Sequence, residues 1–421
     1  MQKSEFVQKN NQVNLYIHIP FCKSKCHYCN FISFANKNEL IESYFVALKK
    51  EIEFYLTKYQ DIELETIYIG GGTPSVVDFG FYKDLFNLLS GLINISPKAE
   101  ITMEINPGTV DLDYLKNIMN LGVNRLSIGV QSFDDKILKF INRIHTSEEA
   151  IETVKLAQKA GFENISIDLI YGLPEQTSDS WEKTLNMALT LGISHISTYG
   201  LKIEENTEFS RHQPKNLPDD EQQSQIYLKT IEILENKGFN HYEISNFSKK
   251  GKESRHNLCY WKNHEYFGFG LSAHGYLNGI RYSNTENLEE YLKNPTKRAF
   301  ENLVSSSERL EEAIFLGLRL IEGINIEEFK SNYGIDIRQK YSKIIEKYIN
   351  YGFMAYENHM RSGSVCGNGQ FSCEAGVESL KDGFAGLEGL NSFSQKAHSH
   401  ALKLTNHGIL LSNSILSDFL A

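Results

Sequence analysis

Long apolar segments are missing from this sequence. No apolar run approaches the ~18 residues that a membrane-spanning helix needs. The first residues, MQKSEFVQKNNQVN, are polar and lack the apolar core of a secretory signal. We therefore expect a cytoplasmic protein without a transmembrane segment.

An excess of positive charge is also missing. The 421 residues include 43 Lys and Arg against 53 Asp and Glu, which gives a formal net charge of -10. A surface that follows nucleic-acid phosphates needs the opposite balance, so we expect no nucleic-acid partner. Apolar residues make up 41% of the chain, enough for a sizeable core, and the length favours a main domain and a smaller one.

Cysteine is scarce, yet half of it lies in one place. Of six cysteines, three stand in the stretch CKSKCHYC as Cys22, Cys26 and Cys29. A disulfide framework is untypical of so long a chain, and in a reducing compartment such a cluster more often binds metal. The sequence therefore predicts a metal centre directly after the apolar run LYIHIPF.

Strand-like and helix-like segments alternate along the first part of the chain. Apolar runs such as NLYIHIP, ETIYIGGG, EITMEIN and NRLSIGVQSF are separated by helical patterns, at a spacing of about 30 residues. Six such units predict an α/β fold, a partial (β/α)6 barrel similar to a TIM barrel. Chemistry in such folds lies at the carboxyl ends of the strands, where CKSKCHYC, GGGTP and Gln131 fall.

The rhythm changes after about residue 250. We predict a polar tail over 1–12, the barrel over 13–250 and a smaller, mostly helical domain over 251–421. A segment rich in Gly and Ser, about 358–400, interrupts that domain and contains Cys366 and Cys373. No four-ligand spacing is recognisable there, so we interpret it as an exposed insertion rather than a second metal site.

Three thiolates from one loop are a ligand set with one member missing. They satisfy three irons of a [4Fe-4S] cubane and leave the fourth iron open. Structural zinc is the alternative, but it needs four protein ligands and usually joins two separate knuckles. An open iron can instead chelate the amino and carboxylate groups of S-adenosylmethionine, whose reductive cleavage gives an adenosyl radical.

The CxxxCxxC spacing with Tyr28 before the last cysteine, followed by GGTP, resembles the radical S-adenosylmethionine superfamily. The stretches LYIHIPFC, GGGTPS, RLSIGVQSF, NRIH and SIDLIYGLPEQT are similar to the branch that holds the oxygen-independent coproporphyrinogen III oxidases and the HemW-type heme chaperones. The resemblance implies a [4Fe-4S] cluster on Cys22, Cys26 and Cys29, with S-adenosylmethionine as a further cofactor. Only the Gly- and Ser-rich insertion has no counterpart in that pattern.

The resemblance also implies a cofactor-binding set. Aromatic rings would shield the cluster, glycines would let the methionyl end approach, and polar side chains would contact the ribose, carboxylate and sulfonium. The set is Tyr16, Tyr28, Gly71, Gly72, Thr73, Glu104, Gln131, Arg143 and Asp168. Taken singly, each has a plainer explanation; Arg143, for example, could cap a helix or pair with Asp134 or Asp135.

Two departures separate this chain from the oxidases. Those enzymes carry a further cysteine two positions after the third one, where this chain has Phe31, and they have a longer N-terminal extension. The chaperones carry HNxxYW, which matches the stretch HNLCYW here. The resemblance therefore favours a heme chaperone, and whether the chain is also an enzyme stays open.

Within HNLCYW, His256 is our candidate heme ligand, and Tyr260 and Trp261 would cover the macrocycle. Cys259 is a thiolate alternative, and a core histidine bonded within the protein is the plainer explanation of His256. The partners that this implies are heme and heme-accepting proteins, such as respiratory enzymes at the membrane. An oxygen-independent coproporphyrinogen III oxidase is the first alternative, and a radical enzyme that modifies RNA is the second. No catalytic residue and no oligomeric state is assigned.

Overall fold

A computed structural model describes residues 11–59, 61–357 and 400–420. The segment 358–399, with Cys366 and Cys373, and most of the predicted tail lie outside the described residues. Within the described part, no helix is long and apolar enough to cross a membrane. The chain divides into two compact units, Met1–Gly317 and Leu318–Ala421.

The first unit is built on one twelve-stranded sheet. Its order is β14-β13-β12-β11-β1-β4-β5-β6-β7-β8-β10-β9, and a separate short pair, β2 and β3, lies beside the cysteine stretch. The strands are β1 (Gln12–Ile19), β2 (Phe21–Cys22), β3 (Phe34–Ala35), β4 (Glu63–Gly71), β5 (Asn94–Ile105), β6 (Arg125–Gln131), β7 (Ile165–Tyr171), β8 (His195–Gly200), β9 (Asn240–Glu243), β10 (Asn246–Ser248), β11 (Tyr266–Phe269), β12 (His274–Leu277), β13 (Ile280–Asn284) and β14 (Arg298–Leu303).

Helices connect these strands and cover the sheet. They are α1 (Ile41–Leu56), α2 (Phe79–Leu92), α3 (Leu112–Asn120), α4 (Asp135–Phe140), α5 (Ser147–Ala160), α6 (Ser178–Thr190), α7 (Glu208–Arg211), α8 (Asp220–Asn236), α9 (Arg255–Trp261), α10 (Leu288–Lys293) and α11 (Ser306–Gly317). Two 3-10 turns lie at Asn38–Leu40 and Pro74–Val76.

Six strands, β1 and β4 to β8, run parallel and in chain order. The predicted partial (β/α)6 barrel is therefore confirmed. Because helices cover it, a central strand such as β6 is buried at every position except its last, Gln131. The carboxyl ends of these strands meet at one edge, where the cysteine stretch follows β1.

Local sequence signals account for the helix boundaries. In α5, Thr146 accepts a hydrogen bond from the backbone of Glu149 while the Glu149 side chain bonds back to Thr146, which is a capping box. The helix ends at Gly161, whose φ of 111° is a left-handed conformation. Its buried face consists of Ala150, Thr153, Val154 and Ala157, spaced three or four residues apart.

The first unit extends to Gly317, past the boundary that we placed at 250. The aromatic and Gly-rich stretch after 250 forms β11, which pairs parallel with β1, and the hairpins β12 to β14. Buried Glu51 of α1 holds this extension: its carboxylate pairs with Arg298 at 2.7 Å and accepts bonds from Tyr291, Asn284 and the Gly270 N–H. Removing one partner from such a buried network typically costs ~3–5 kcal/mol.

The second unit is smaller and mainly helical in its described part. Its helices are α12 (Ile326–Tyr333), α13 (Ile337–Lys340), α14 (Ser342–Asn350), α15 (Asn406–Leu410) and α16 (Ser412–Asp418). A three-stranded sheet in the order β15-β17-β16 joins them, with β15 (Ile324–Asn325), β16 (Met354–Glu357) and β17 (Ala401–Leu404). The helical character predicted for the C-terminal region is confirmed.

Candidate functional site

The three clustered cysteines line one cavity of about 360 Å³ at the carboxyl ends of the parallel strands, which we call the inner cavity. Cys22 is buried at the end of β2, and Cys26 and Cys29 are half-buried in the loop that follows. All three thiols are free. The loop is fixed by backbone bonds from Cys29 N–H to the Cys26 carbonyl and from His27 N–H to the Ile141 carbonyl, at 3.2 Å each.

The ligand geometry differs from that of a single-ion site. Across residues 11–59, 61–357 and 400–420, no three His, Cys, Asp or Glu side chains are grouped so that they could hold one metal ion. The thiolates that bind a cubane cluster lie further apart, because each one bonds to a different iron. Three free thiols around one cavity therefore fit a multinuclear cluster better than zinc, which needs four converging ligands.

The GGGTP stretch approaches the cysteine loop closely enough to require glycine. Gly71 has a φ of 117°, which disfavours any side chain. A Cβ on Gly72 would come within 2.7 Å of the Phe21 carbonyl and 3.0 Å of the Cys22 Sγ. Thr73 donates its hydroxyl proton to the Cys22 Sγ at 3.6 Å. The backbone here thus borders both the Cys22 thiol and the inner cavity.

Glu104 is held between two donors. The Tyr68 hydroxyl bonds to one carboxylate oxygen at 2.8 Å and the Gly71 N–H to the other at 3.0 Å. Burial raises the pKa of Glu104 to about 7 although these bonds favour the ionised form. A carboxylate that ionises near neutral pH therefore borders the cavity.

Asp168 lies on the neighbouring wall of the cavity. Burial raises its pKa, while hydrogen bonds from Ser197 and Ser127 oppose the shift. Ser127, Ser197 and Tyr199 also line the cavity, although the sequence analysis did not select them. They share a signal that could have found them, since each is a polar residue on the inward-facing, alternate positions of a mainly apolar strand.

Arg143 crosses from the cavity wall to the cysteine loop. Its guanidinium donates to the Cys26 Sγ at 3.5 Å, to the Asn106 side chain at 2.7 Å and to the Gly129 carbonyl. Its buried Nε has no hydrogen-bond partner among the described residues. The alternatives for Arg143 were a helix cap or an ion pair with Asp134 or Asp135. Those two carboxylates have other roles: Asp134 caps α4, and Asp135 accepts a hydrogen bond from the Ser147 N–H.

Of Tyr16 and Tyr28, the two tyrosines predicted to bind the cofactor, only Tyr28 borders the inner cavity. Tyr16 lies behind its wall, with its ring stacked on Tyr68 at 6.2 Å and its hydroxyl 3.0 Å from the His18 Nδ1. Gln131 does line the cavity, in a left-handed conformation with a φ of 70°. Such a conformation in a non-glycine residue is costly and typical of functional sites.

The HNLCYW stretch forms α9 and lies inside the first unit. Glu100 of β5 accepts hydrogen bonds from the backbone N–H groups of Arg255 and His256, at 3.1 and 3.0 Å. Asn257 lines the inner cavity. The motif is therefore part of the barrel.

His256 is 1% exposed, and both of its ring nitrogens are occupied. Nδ1 lies 2.6 Å from the Thr66 hydroxyl, and Nε2 lies 2.9 Å from the Tyr260 hydroxyl. Burial lowers the pKa of His256 to about 3, so the ring is neutral. Trp261 is half-buried, whereas Cys259 is buried and its thiol pKa is raised by burial. In this arrangement His256 has the contacts of a core histidine.

Comparison with known proteins finds matches to two family models and to several curated relatives. Residues 16–188 match the model of the Radical SAM superfamily, and residues 304–360 match that of the HemN C-terminal domain. The heme chaperone HemW of Lactococcus lactis is 39% identical over 352 residues, which cover 82% of this chain and 90% of that protein. HemW of Bacillus subtilis is 39% identical over 327 residues, which cover 76% and 86%.

A solved structure shows the same fold. The coproporphyrinogen III oxidase of Escherichia coli, a radical SAM enzyme, superposes with a TM-score of 0.79 over 97% of this chain and 90% of that chain, at 20% identity. At that identity the likeness concerns the fold, whereas the relatives above share sequence over most of their length. The chain belongs to the radical SAM superfamily and, within it, to the family of the heme chaperone HemW.

Proposed function

We propose that this protein is a heme chaperone of the HemW type, which binds heme and transfers it to acceptor proteins. The observation that carries the proposal is the 39% identity to HemW over 82% of the chain. Position 31 agrees with it, because Phe31 stands where the resemblance to the oxidases would require a cysteine.

The superfamily implies a [4Fe-4S] cluster and S-adenosylmethionine. We propose Cys22, Cys26 and Cys29 as the cluster ligands, since their thiols are free and line one cavity. A bound cluster supplies an open iron and a one-electron donor. The Cys22 thiol accepts from Thr73 and the Cys26 thiol from Arg143, and such donors stabilise thiolates.

For S-adenosylmethionine, the cavity offers both shape and charge. Its volume of about 360 Å³ is near the lower end of the ~300–1,000 Å³ typical of small-molecule sites, so one ligand of this size would fill it. We propose that the Gly71, Gly72 and Thr73 backbone borders the methionyl end. Polar contacts would come from Glu104, Gln131, Arg143 and Asp168, and Tyr28 would cover the ligand; Tyr16 would act by supporting Tyr68.

The first alternative is an oxygen-independent coproporphyrinogen III oxidase. One observation favours it, namely that the polar set expected for S-adenosylmethionine is grouped in one cavity. The oxidase would remove carboxyl groups from the propionates of coproporphyrinogen III. An RNA-modifying enzyme has less support because the net charge is -10.

Two anaerobic measurements on cluster-loaded protein test the proposal. Heme titration should give a saturable 1:1 complex, and the bound heme should move to apomyoglobin as acceptor. In a parallel sample with coproporphyrinogen III, S-adenosylmethionine and dithionite, we expect no protoporphyrinogen. Absence of saturable heme binding would refute the chaperone, and formation of protoporphyrinogen would establish the oxidase.

A further inference from the structure

The inner cavity extends along the whole of strand β6. Four residues of this strand line it at alternate positions, namely Arg125, Ser127, Gly129 and Gln131. Because side chains alternate along a strand, all four belong to the face that looks into the barrel. Gln131 lies at the carboxyl end of β6, on the side of the cysteine loop, whereas Arg125 lies at the amino end. The cavity therefore has a second end, away from the proposed cluster ligands.

Helix α9, which carries HNLCYW, lies at this second end. Glu100 of β5 accepts from two N–H groups in the first turn of the helix, and the His256 Nδ1 lies 2.6 Å from the Thr66 hydroxyl of β4. Thr66 and Glu100 are paired in the sheet. Both precede the residues of their strands that line the cavity, Tyr68 and Glu104, so α9 lies further from the cysteine loop than those two side chains do.

Arg125 is a buried cation without a bonded partner. Its side chain is 1% exposed, and its Nε has no hydrogen-bond partner. Within the part of the chain that the structure describes, no hydrogen bond or ion pair joins its guanidinium to another residue. A buried polar group that lacks its bonds destabilises the fold, so we expect a ligand to supply the acceptors.

The acceptors need not belong to an anion. Burial raises the pKa of Asp168 and of Glu104, and the charge of Arg125 acts against burial at both carboxyls. These two carboxylates line the same cavity and offset the charge of the guanidinium. What Arg125 lacks is hydrogen bonding, which neutral oxygen and nitrogen acceptors can provide.

Asn257 adds a side-chain amide at the same end. It lines the inner cavity, and no residue in the described ranges hydrogen-bonds to its amide, although its backbone N–H donates to the Ser254 hydroxyl at 3.3 Å. Arg125 is a near neighbour, since its charge adds to the effect of burial in lowering the pKa of the adjoining His256. An amide presents an acceptor and a donor side by side, the pattern that pairs with N6 and N7 of adenine.

Given the proposed S-adenosylmethionine site, on which this step rests, we infer that Arg125 and Asn257 bind the adenosyl end of the cofactor. The methionyl end is assigned to the GGGTP backbone beside the cysteines, so the adenosyl group extends along β6 toward the opposite end. There the Asn257 amide pairs with N6 and N7 of the adenine, and the Arg125 guanidinium donates to the remaining acceptors of the adenosyl group. His256 then has a structural role, because its bond to Thr66 holds α9 against β4.

Calorimetric titration of full-length, cluster-loaded protein with two analogues tests the inference. S-adenosylhomocysteine carries an intact adenine, whereas in S-tubercidinylhomocysteine a C–H group replaces N7 and nothing else differs. Wild type should bind the second analogue about tenfold more weakly, because one donor of Asn257 loses its acceptor. Asn257→Ala should bind S-adenosylhomocysteine about tenfold more weakly than wild type does, and should bind both analogues within about twofold of each other.

Two further variants complete the experiment. Asn302→Ala is the matched control, because Asn302 is an exposed asparagine of β14 that does not line the cavity, and its affinities should equal those of the wild type. Arg125→Lys keeps the charge but removes the planar fork of donors, and should weaken both analogues equally, by about tenfold. Unchanged affinity in Arg125→Lys would overturn the assignment of Arg125. Asn257→Ala removes no side-chain bond within the protein, so it decides the inference even if Arg125→Lys fails to fold.

The outcomes separate this inference from the proposed function. If wild type does not bind S-adenosylhomocysteine, the proposed cofactor site fails and the inference fails with it. If wild type binds both analogues equally, or if Asn257→Ala still distinguishes them, the inference fails and the cofactor site stands. The heme titration tests the chaperone independently of these results. Iron and sulfide content, measured on each variant, reports the cluster separately.

Discussion

Two spaces border the cysteine loop, the inner cavity and a cleft of about 540 Å³ that we call the outer cleft, and they differ in how their polar groups are held. Around the inner cavity, Glu104, Asp168 and Arg143 are half-buried and hydrogen-bonded to neighbouring residues, so their positions are set before any ligand arrives. Around the outer cleft, His27 and Lys25 are hydrogen-bonded to neighbouring residues, whereas Lys37 and Arg211 are long, exposed side chains. Preorganised groups suit a resident cofactor, whereas exposed charged side chains must lose conformational freedom when a ligand binds them.

The largest effect should come from the three thiols of the cysteine loop. Replacing Cys22, Cys26 and Cys29 together with alanine should remove iron, sulfide and the brown absorbance of the reconstituted protein entirely. Cys259→Ala is the control, because that cysteine is buried in α9 and borders neither space. A triple variant that still takes up stoichiometric iron and sulfide would contradict the assignment of these cysteines as cluster ligands.

An Arg143 variant tests whether S-adenosylmethionine binding at the inner cavity depends on the guanidinium charge. Arg143→Ala removes the donor to the Cys26 Sγ, Asn106 and the Gly129 carbonyl. Bonds to charged groups contribute ~1.5–3 kcal/mol each, so S-adenosylmethionine should bind about 10- to 100-fold more weakly by calorimetry. Arg281→Ala, which breaks a pair with Glu312 outside the cavity, should keep the wild-type affinity. Equal affinities in both variants would contradict the assignment.

Gly72 tests the close approach between the GGGTP backbone and the thiol. Gly72→Ala places a methyl group 2.7 Å from the Phe21 carbonyl and 3.0 Å from the Cys22 Sγ, so the backbone must move. We expect a loss of ~1–3 kcal/mol in the free energy of unfolding, measured in urea. Gly91→Ala is matched to it, since nothing lies within 4 Å of its Cβ in α2, and should instead gain ~0.5–1 kcal/mol. A neutral Gly72→Ala would show that the contact is loose.

The smallest effect should be the pH dependence of S-adenosylmethionine binding at the inner cavity. Since the pKa of Glu104 is about 7, its ionised fraction rises about tenfold between pH 6 and pH 8. If the ionised form contacts the cofactor, affinity for S-adenosylmethionine should rise by up to about tenfold over this range. Glu104→Gln should flatten the profile, and Glu301→Gln, on the exposed edge strand β14, should leave it unchanged. A pH-dependent Glu104→Gln would assign the titration elsewhere.

The same carboxyl affects stability with the opposite trend. The folded state binds its proton more tightly than the unfolded state does, since the pKa is raised from 4.5. The stabilisation that Glu104 gives is therefore present at low pH and is lost as the pH rises from about 4.5 to about 7. Urea unfolding of wild type and Glu104→Gln across this range should show the slope in the wild type only.

Much of the fold was accessible from local patterns. Strand-like runs alternating with helical ones predicted six parallel strands, and the carboxyl-end rule placed the cysteines, GGGTP and Gln131 at one edge. The part after 250 was harder, because a Gly-rich aromatic stretch gives weak periodicity. It pairs with β1 and is tied to α1 by long-range contacts such as that of Glu51 with Arg298, which lie 247 positions apart.

By itself, the sequence determined the family and predicted Cys22, Cys26 and Cys29 as cluster ligands, because both depend on residue types at short, fixed spacings along the chain. Only the tertiary structure decided which partners surround each histidine. HNLCYW drew attention to His256, yet the Thr66 and Tyr260 hydroxyls occupy its two ring nitrogens, while the His27 Nδ1 lies 2.9 Å from the Phe140 carbonyl. The reason is physical: the state of an imidazole depends on partners brought together by folding, and most of these are far away in the sequence.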